Sequence, residues 1–186
     1  MRCNLQELYQ QSVDVIDNFR RIEPRPWDER ILAIELCGEV GSLTHALLDT
    51  EGYKRRPPNL PAVKNECADV LFIVLRLSGY CGFSLPDTAQ PLTTGGAEHP
   101  LALEDVGLEL SRLAGEVSAH AIGQMVLSVE TLLGMAALVE AVAEHYRFSL
   151  RDAYLSELNI CRRWQAKNLT SSRWRQRLLS WLGKGR

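Results

Sequence analysis

Hydrophobic residues recur every three or four positions through most of the chain, which is the periodicity of an α-helix. The first such stretch contains Leu5, Leu8, Val13, Ile16 and Phe19. No segment of useful length alternates between apolar and polar residues as a half-buried strand does. The pattern therefore predicts an all-α fold. The predicted helices cover about 5–20, 28–49, 62–81, 102–122, 125–146, 149–167 and 171–182.

Proline, glycine and short polar side chains mark where these helices begin and end. Pro24 and Pro26 interrupt the pattern after the first helix, and Asp28 has the position of an N-cap for the second. The stretch 86–100 is rich in Thr, Gly and Pro, which predicts a linker. The helix over about 62–81 is apolar on nearly all sides in its second half, so we expect it to be central.

Composition sets limits on function without identifying one. Of the 186 residues, 46% are apolar and 24% charged, which is ordinary for a globular domain. The net charge of −2 gives no electrostatic reason to expect a nucleic-acid partner. The five cysteines are scattered, which indicates small core residues in a reducing compartment. The N-terminus lacks the apolar region of a signal peptide, and no apolar run approaches the roughly 18 residues of a membrane span. We therefore expect a cytoplasmic protein.

Two acidic pairs lie on neighbouring predicted helices, beside strongly apolar sequence. Glu35 and Glu39 are four positions apart, and Ser42 extends their stripe. Glu66 and Asp69 are three positions apart, so each pair shares one helix face. Carboxylates are costly to bury as bare charges, and a bound cation offsets that cost. Oxygen ligands from two facing helices suit Mg²⁺ or Mn²⁺, so the pattern predicts a divalent-metal site.

At these positions the chain resembles the MazG-like, all-α nucleoside triphosphate pyrophosphohydrolases. The run GEVGSL from Gly38 to Leu43 is similar to the family's G-E-x-G-E-L stretch. The run ECADVL from Glu66 to Leu71 is similar to its E-x-x-D-V-L stretch. The resemblance implies a MazG-like helical bundle and Mg²⁺-dependent hydrolysis of a (deoxy)nucleoside triphosphate to its monophosphate and pyrophosphate, serving to cleanse the nucleotide pool. One position departs from the family, because Ser42 stands where the second glutamate of E-x-x-E is expected.

The predicted roles follow from this chemistry. Glu39, Glu66, Asp69 and Glu35 are the expected metal ligands, and an unligated Glu35 or Glu39 would act as the general base. Basic residues must balance the triphosphate, and Lys54 and Arg55 lie in the loop between the two acidic helices. Resemblance to the family's closing helix and upstream tryptophan adds three polar contacts and one stacking contact to the nucleotide. These residues are Arg163, Lys167, Asn168 and Trp27.

Each of these residues also has an interpretation that needs no ligand. Glu66 and Asp69 would be solvated residues of a first helical turn, where acidic side chains interact favourably with the helix dipole. Glu35 would form a surface pair with Arg30. The loop with Lys54 would be an exposed solubilising segment, and Trp27 would pack a helix start. The alternative function is therefore a catalytically degenerate MazG-like binding or assembly module. The serine in place of a glutamate favours it.

The second half of the chain weakly repeats the first. The run LCGEVG from Leu36 is similar to LAGEVS from Leu113, and the FSL triplet recurs further along each half. This indicates two related helical-hairpin units, with chance similarity between Leu/Ala-rich helices as the alternative. The expected organisation is a metal-bearing unit, a linker, a degenerate unit and a basic amphipathic tail, in a chain that forms a homo-oligomer, expected to be a dimer. The predicted boundaries are 1–90, 91–101, 102–170 and 171–186.

Overall fold

The computed structural model describes the backbone of residues 4–85 and 102–182, with side chains up to residue 168. Within these ranges the chain forms six helices and no strand, so the predicted all-α class is confirmed. The predicted linker, at 91–101 or more broadly 86–100, lies outside the described residues. The helices are α1 (Leu5–Ile22), α2 (Glu29–Thr50), α3 (Leu60–Cys81), α4 (Leu103–Ala121), α5 (Val129–His145) and α6 (Leu150–Leu182).

Side-chain caps fix the starts of five helices. Asn4, Asp28, Asn59, Ser128 and Ser149 each accept a hydrogen bond from a backbone N–H in the first turn that follows. Asp28 is therefore the N-cap that the sequence predicts. Ser128 places the start of α5 at Val129, a few residues later than the periodicity predicts. At its other end, α3 terminates in Gly82, whose φ of 71° is the left-handed conformation that glycine adopts without strain.

The C-terminal part of the chain differs from the prediction. The sequence predicts a break near 168–170 and a separate tail helix over about 171–182, but α6 continues without interruption from Leu150 to Leu182. The prediction of two helices is wrong because residues 168–171 contain no glycine or proline. Their Asn, Leu, Thr and Ser residues lower helix propensity only slightly, which is insufficient to end a helix.

α3 lies at the centre of the bundle, as its apolar sequence predicts. It packs against α1, α2, α5 and α6, and every side chain from Ile73 to Ser78 is buried. Consecutive helices form two hairpins, α2–α3 and α4–α5, and these hairpins pack with α2 on α4 and α3 on α5. The N-terminal α1 and the long α6 pair with each other and cover α3. The first hairpin thus carries both acidic pairs into the interior of the bundle.

α2 is the one helix in the described part of the chain that is long and apolar enough to cross a membrane, judged by length and composition. Core helices pass the same test. In the fold its apolar residues Leu32, Leu36, Val40 and Leu43 are buried, and the helix packs against α3 and α4. We therefore describe α2 as a core helix of the bundle.

Candidate metal centre

Three of the predicted metal ligands come together between α2 and α3. One carboxylate oxygen from each of Glu39, Glu66 and Asp69 lies within 4.8 Å of the other two. The hairpin brings them together because each acidic pair occupies one face of its helix and those faces oppose each other. All three side chains are partly buried. This concentration of negative charge is costly at partly buried positions unless it is compensated.

The pKa values of the three carboxyls are all raised, as expected where negative charge is not compensated. Burial raises the pKa of Asp69 to about 7, and repulsion from Glu157, Glu39, Glu66 and Glu35 adds to the effect. Burial also raises the pKa of Glu39, with Glu66 and Glu35 contributing. The pKa of Glu66 is raised by burial. Every contribution to these three pKa shifts has the same sign, and no basic side chain appears among the causes.

A cavity of about 340 Å³ opens beside these carboxylates. Glu35, Glu39 and Asp69 are among its lining residues. Four aromatic side chains also line it, and the ring centroids of two of them, Phe19 and Trp164, lie 5.9 Å apart. The cavity therefore combines carboxylates with aromatic surface, which suits a ligand with a polar and an apolar part. The remaining lining residues are Ile22, Glu23, Pro24, Trp27, Phe72, Ile73, Arg76 and Cys161.

Arg76 is a buried cation in the wall of this cavity. Its guanidinium donates to a carboxylate oxygen of Glu23 at 2.6 Å, and its side chain is only 4% exposed. The guanidinium carbon also lies 4.8 Å from the centre of the Trp27 ring, within the range of a cation–π contact. Sequence reasoning missed Arg76 because it sits inside a long apolar run. A lone arginine at such a position is itself a signal, since a buried charge needs a partner.

Glu157 on α6 is a second residue that sequence reasoning missed. Its charge is the largest electrostatic contribution, after burial, to the raised pKa of Asp69. It also accepts a weak hydrogen bond, at 3.8 Å, from the thiol of Cys161 one turn later. Burial, then Glu157 and Asp69, raise the pKa of Cys161 to about 11. The signal in the sequence is the stripe Glu157, Cys161 and Trp164, spaced four and three residues apart on one helix face.

The other predicted site residues lie in different places. Trp27 and Glu35 line the cavity, whereas Ser42 is exposed and does not. Lys54 lies 3.8 Å from Asp49, and Arg55 is exposed; neither lines the cavity. The three predicted nucleotide contacts on α6 are also outside the cavity lining, although their neighbour Trp164 is part of it. Those three are Arg163 and Lys167, which are exposed, and Asn168, whose side-chain amide donates to the Trp164 carbonyl at 2.9 Å.

The donor set fits a hard divalent cation. Three carboxylates supply oxygen ligands, and the absence of a neighbouring base among the causes of their pKa shifts leaves the negative charge for a metal to neutralise. Glu35 lies close enough to raise the pKa values of Glu39 and Asp69, although its carboxylate is outside the group of three. The set contains no sulfur or nitrogen ligand, which favours Mg²⁺ or Mn²⁺ over zinc.

Comparisons of the chain with known proteins found no relative. No protein-family model matches the chain, and no characterised protein or solved structure matches it.

Proposed function

We propose that the protein is a MazG-like nucleoside triphosphate pyrophosphohydrolase. It would hydrolyse a (deoxy)nucleoside triphosphate to its monophosphate and pyrophosphate in the presence of Mg²⁺ or Mn²⁺, and so cleanse the cytoplasmic nucleotide pool. The observation that carries the proposal is the convergence of Glu39, Glu66 and Asp69 to within 4.8 Å beside a cavity with aromatic walls. The resemblance of the two acidic runs to the family's motifs supports the same reaction class.

In this proposal Glu39, Glu66 and Asp69 hold the cation. Such a cation would supply charge neutralisation for the triphosphate and would make the attacking water more acidic. Glu35 lines the cavity but is not one of the three converging carboxylates, so in this proposal it is the general base that accepts the proton. The carboxylates thus divide into three that bind and one that acts as base.

The aromatic side of the cavity would hold the base or sugar of the nucleotide. Trp27 and Trp164 both contribute to the wall. A volume of about 340 Å³ lies within the range of small-molecule sites. One face of Trp27 is engaged by Arg76, so a stacked base would occupy the other face or the ring of Trp164. Arg76 is also the only cationic side chain lining the cavity among the described residues.

The assay that tests this proposal measures pyrophosphate release from a panel of ribonucleoside and deoxyribonucleoside triphosphates with Mg²⁺ or Mn²⁺. We expect release from at least one nucleotide, with the monophosphate formed in equal amount. Orthophosphate as the first product would indicate a different bond cleavage and would contradict the proposal. The metal-free protein with chelator is the blank.

Glu35→Gln tests the general base. We expect turnover to fall about 100-fold, the lower end of what a general base contributes, because glutamine cannot accept the proton. Binding of Mn²⁺ should be retained, since Glu35 is outside the converging group. The matched control is Glu144→Gln, at an exposed position on α5 that does not line this cavity, which should leave turnover unchanged. Full activity in Glu35→Gln would assign the base to another group.

Ser42→Glu tests the departure from the family motif. If position 42 has the family's role, the new carboxylate adds a ligand and raises Mg²⁺ affinity about tenfold, or 1.4 kcal/mol. His45→Glu, at an exposed position one turn further along, controls for added charge. Weaker binding in Ser42→Glu would indicate that Glu35 already fills the gap and that like charges now crowd the site. No change would mean that position 42 points away from the metal, as its exposure also allows.

The exposed serine supports the alternative function as well. With Ser42 outside the cavity lining, the described residues supply one motif carboxylate fewer than the family has. A degenerate binding or assembly module would bind Mn²⁺ and nucleotide without releasing pyrophosphate. The nucleotide panel combined with a binding measurement therefore separates the two functions.

We also propose that the α4–α5 hairpin is a degenerate copy of the α2–α3 hairpin. The packing of α2 on α4 and of α3 on α5 supports this, because two copies related by an approximate two-fold axis would pair equivalent helices. The glutamate of the second copy's GEV run, Glu116, pairs with Arg112 and accepts a hydrogen bond from Thr131, so it serves a structural role.

Exposed Ile31 and Ile34 on α2 support the expected homodimer.

A further inference from the structure

A second cluster of potential metal ligands contains sulfur and nitrogen as well as oxygen, unlike the carboxylate site. Glu29, Cys81 and His120 each place one ligand atom within 4.8 Å of the other two. They come from the first residue of α2, the last residue of α3 and the last turn of α4. Along α2, Glu29 lies about 15 Å from Glu39 at 1.5 Å per residue, so the two clusters are separate. We propose that Glu29, Cys81 and His120 form a binding site for one Zn²⁺-class ion.

The donor atoms favour a borderline metal over Mg²⁺. The three residues offer one carboxylate oxygen, one sulfur and one imidazole nitrogen, a mixed set that suits Zn²⁺ better than the hard cations, which prefer oxygen. His120 Nε2 lies 2.5 Å from Glu29 Oε1, and Cys81 Sγ lies 3.8 Å from the same oxygen. The three donor atoms are therefore close together, and side-chain movements of about an ångström would separate them to the spacing around a tetrahedral ion.

The histidine is oriented by the backbone of the α4–α5 loop. His120 Nδ1 lies 2.9 Å from the carbonyl oxygen of Met125 and 3.1 Å from the amide nitrogen of Leu127. Without metal, the Leu127 N–H donates to Nδ1, and Nε2–H donates to Glu29. With metal, the other tautomer would be required: Nδ1–H would donate to the Met125 carbonyl, and the lone pair of Nε2 would face the ion. The Leu127 N–H would then lose Nδ1 as its acceptor. A backbone carbonyl behind a ligating histidine is the usual support for such a ligand.

The Cys81 thiol keeps its proton unless a metal binds. Burial and the neighbouring Glu29 raise the pKa of Cys81 to about 11, so the metal-free side chain is a thiol with little nucleophilic character. A bound ion would displace that proton and neutralise the charge of Glu29. Glu29, which disfavours the free thiolate of Cys81, would thus become a ligand of the same ion.

The site has an open side. A cavity of about 340 Å³ is lined by all three ligands together with Tyr80, Phe83 and Val126, and also Leu127. Three protein ligands leave one tetrahedral position vacant, and this cavity gives water or a small anion access to it. The arrangement is therefore that of a three-ligand zinc site with an exchangeable fourth ligand, and it also ties together the ends of three helices.

Titration of the full chain with Co²⁺ tests the proposal, because a cysteine thiolate bound to Co²⁺ gives a charge-transfer band in the near ultraviolet. We expect one equivalent of Co²⁺ to produce the band, and Zn²⁺ to displace it. Cys81→Ser should lose the band. His120→Asn should weaken binding at least about 100-fold, beyond the effect of losing an outer-shell partner. Asparagine retains a polar atom near the Nδ1 position, so the loop contacts persist while the Nε2 ligand is removed.

Three of the other four cysteines and the carboxylate site provide the controls. Cys37→Ser removes an exposed thiol, Cys161→Ser removes the thiol beside the acidic cavity, and Cys3→Ser removes one outside the described residues. All three should keep the band, as should Asp69→Asn, so failure of the carboxylate site would be distinguishable from failure of this one. A wild-type protein without the band, or a band that survives Cys81→Ser and disappears with another cysteine, would overturn the proposal.

Discussion

Asp69→Asn is expected to increase the free energy of unfolding of the metal-free protein and to abolish the turnover measured with Mg²⁺ or Mn²⁺. The gain in stability should be about 2 to 4 kcal/mol at pH 8, because asparagine removes a partly buried charge that repels Glu157, Glu39, Glu66 and Glu35. The loss of turnover should be at least 1000-fold, about 4 kcal/mol, because a ligand of the proposed cation is lost. Opposite effects on stability and activity are what a functional site predicts, since a structural residue would lower both.

The pH dependence of stability gives the same prediction a second readout. The pKa of Asp69 is raised to about 7 in the folded state, against about 3.9 in an unfolded chain. Folding therefore favours the protonated carboxyl, and its contribution is fully present below pH 4. The contribution is lost as pH rises from about 4 to about 7. Urea unfolding with chelator across this range should show wild-type stability falling more steeply than that of Asp69→Asn.

Asp105→Asn is the matched control for this experiment. Asp105 is an exposed aspartate in the first turn of α4, where its charge is favourable to the helix dipole. Its replacement should cost a few tenths of a kcal/mol and leave turnover unchanged. If Asp69→Asn destabilised the metal-free protein instead, the carboxylate cluster would have an internal source of positive charge, and the case for a cation would be lost.

Breaking the buried ion pair between Glu23 and Arg76 is expected to have the largest destabilising effect. Both side chains are almost inaccessible, at 6% and 4% exposure, and the second carboxylate oxygen of Glu23 has no hydrogen-bond partner among the described residues. Glu23→Gln should cost about 3 kcal/mol, because it leaves the guanidinium buried without a counter-charge. The double variant Glu23→Gln, Arg76→Met should be more stable than Glu23→Gln alone, since it removes both charges. Denaturant unfolding measures both.

An exposed ion pair of the same helix provides the comparison. Arg20 and Asp17 on α1 lie 3.2 Å apart with about half of each side chain exposed. Asp17→Asn should cost no more than about 0.5 kcal/mol. A cost for Glu23→Gln as small as that for Asp17→Asn would show that water reaches Arg76, and Arg76 would then be available to a phosphate as an ordinary surface cation.

The helices and the acidic core of the site were predictable because they depend on local spacing. Periodicity identified α2 and α3, and the capping position of Asp28 fixed where α2 begins. Spacings of three and four residues placed Glu39, Glu66 and Asp69 on facing stripes, and packing of consecutive helices then brought them together. The continuity of α6 was missed because Ser, Thr and Asn suggested an interruption that their modest propensities do not enforce.

The rest of the site depends on contacts distant in sequence. Glu157 approaches Asp69 only because α6 packs on α3, and no spacing within α6 indicates that partner. The cluster of Glu29, Cys81 and His120 likewise lies where the ends of three helices meet. Its members are 39 or more positions apart along the chain. Conversely, Lys54 and Arg55 were proposed from their loop position alone, and that loop does not contribute to the cavity lining.

A Mn²⁺ titration followed by electron paramagnetic resonance of the free ion tests the central claim most directly. The wild-type protein should bind Mn²⁺ at the carboxylate site, and Mg²⁺ should compete for it. Glu66→Gln and Asp69→Asn should each weaken this binding at least tenfold while leaving the helical content unchanged, and Cys81→Ser should bind Mn²⁺ as the wild type does. Equal Mn²⁺ affinity in the wild type, Glu66→Gln and Asp69→Asn would contradict the account.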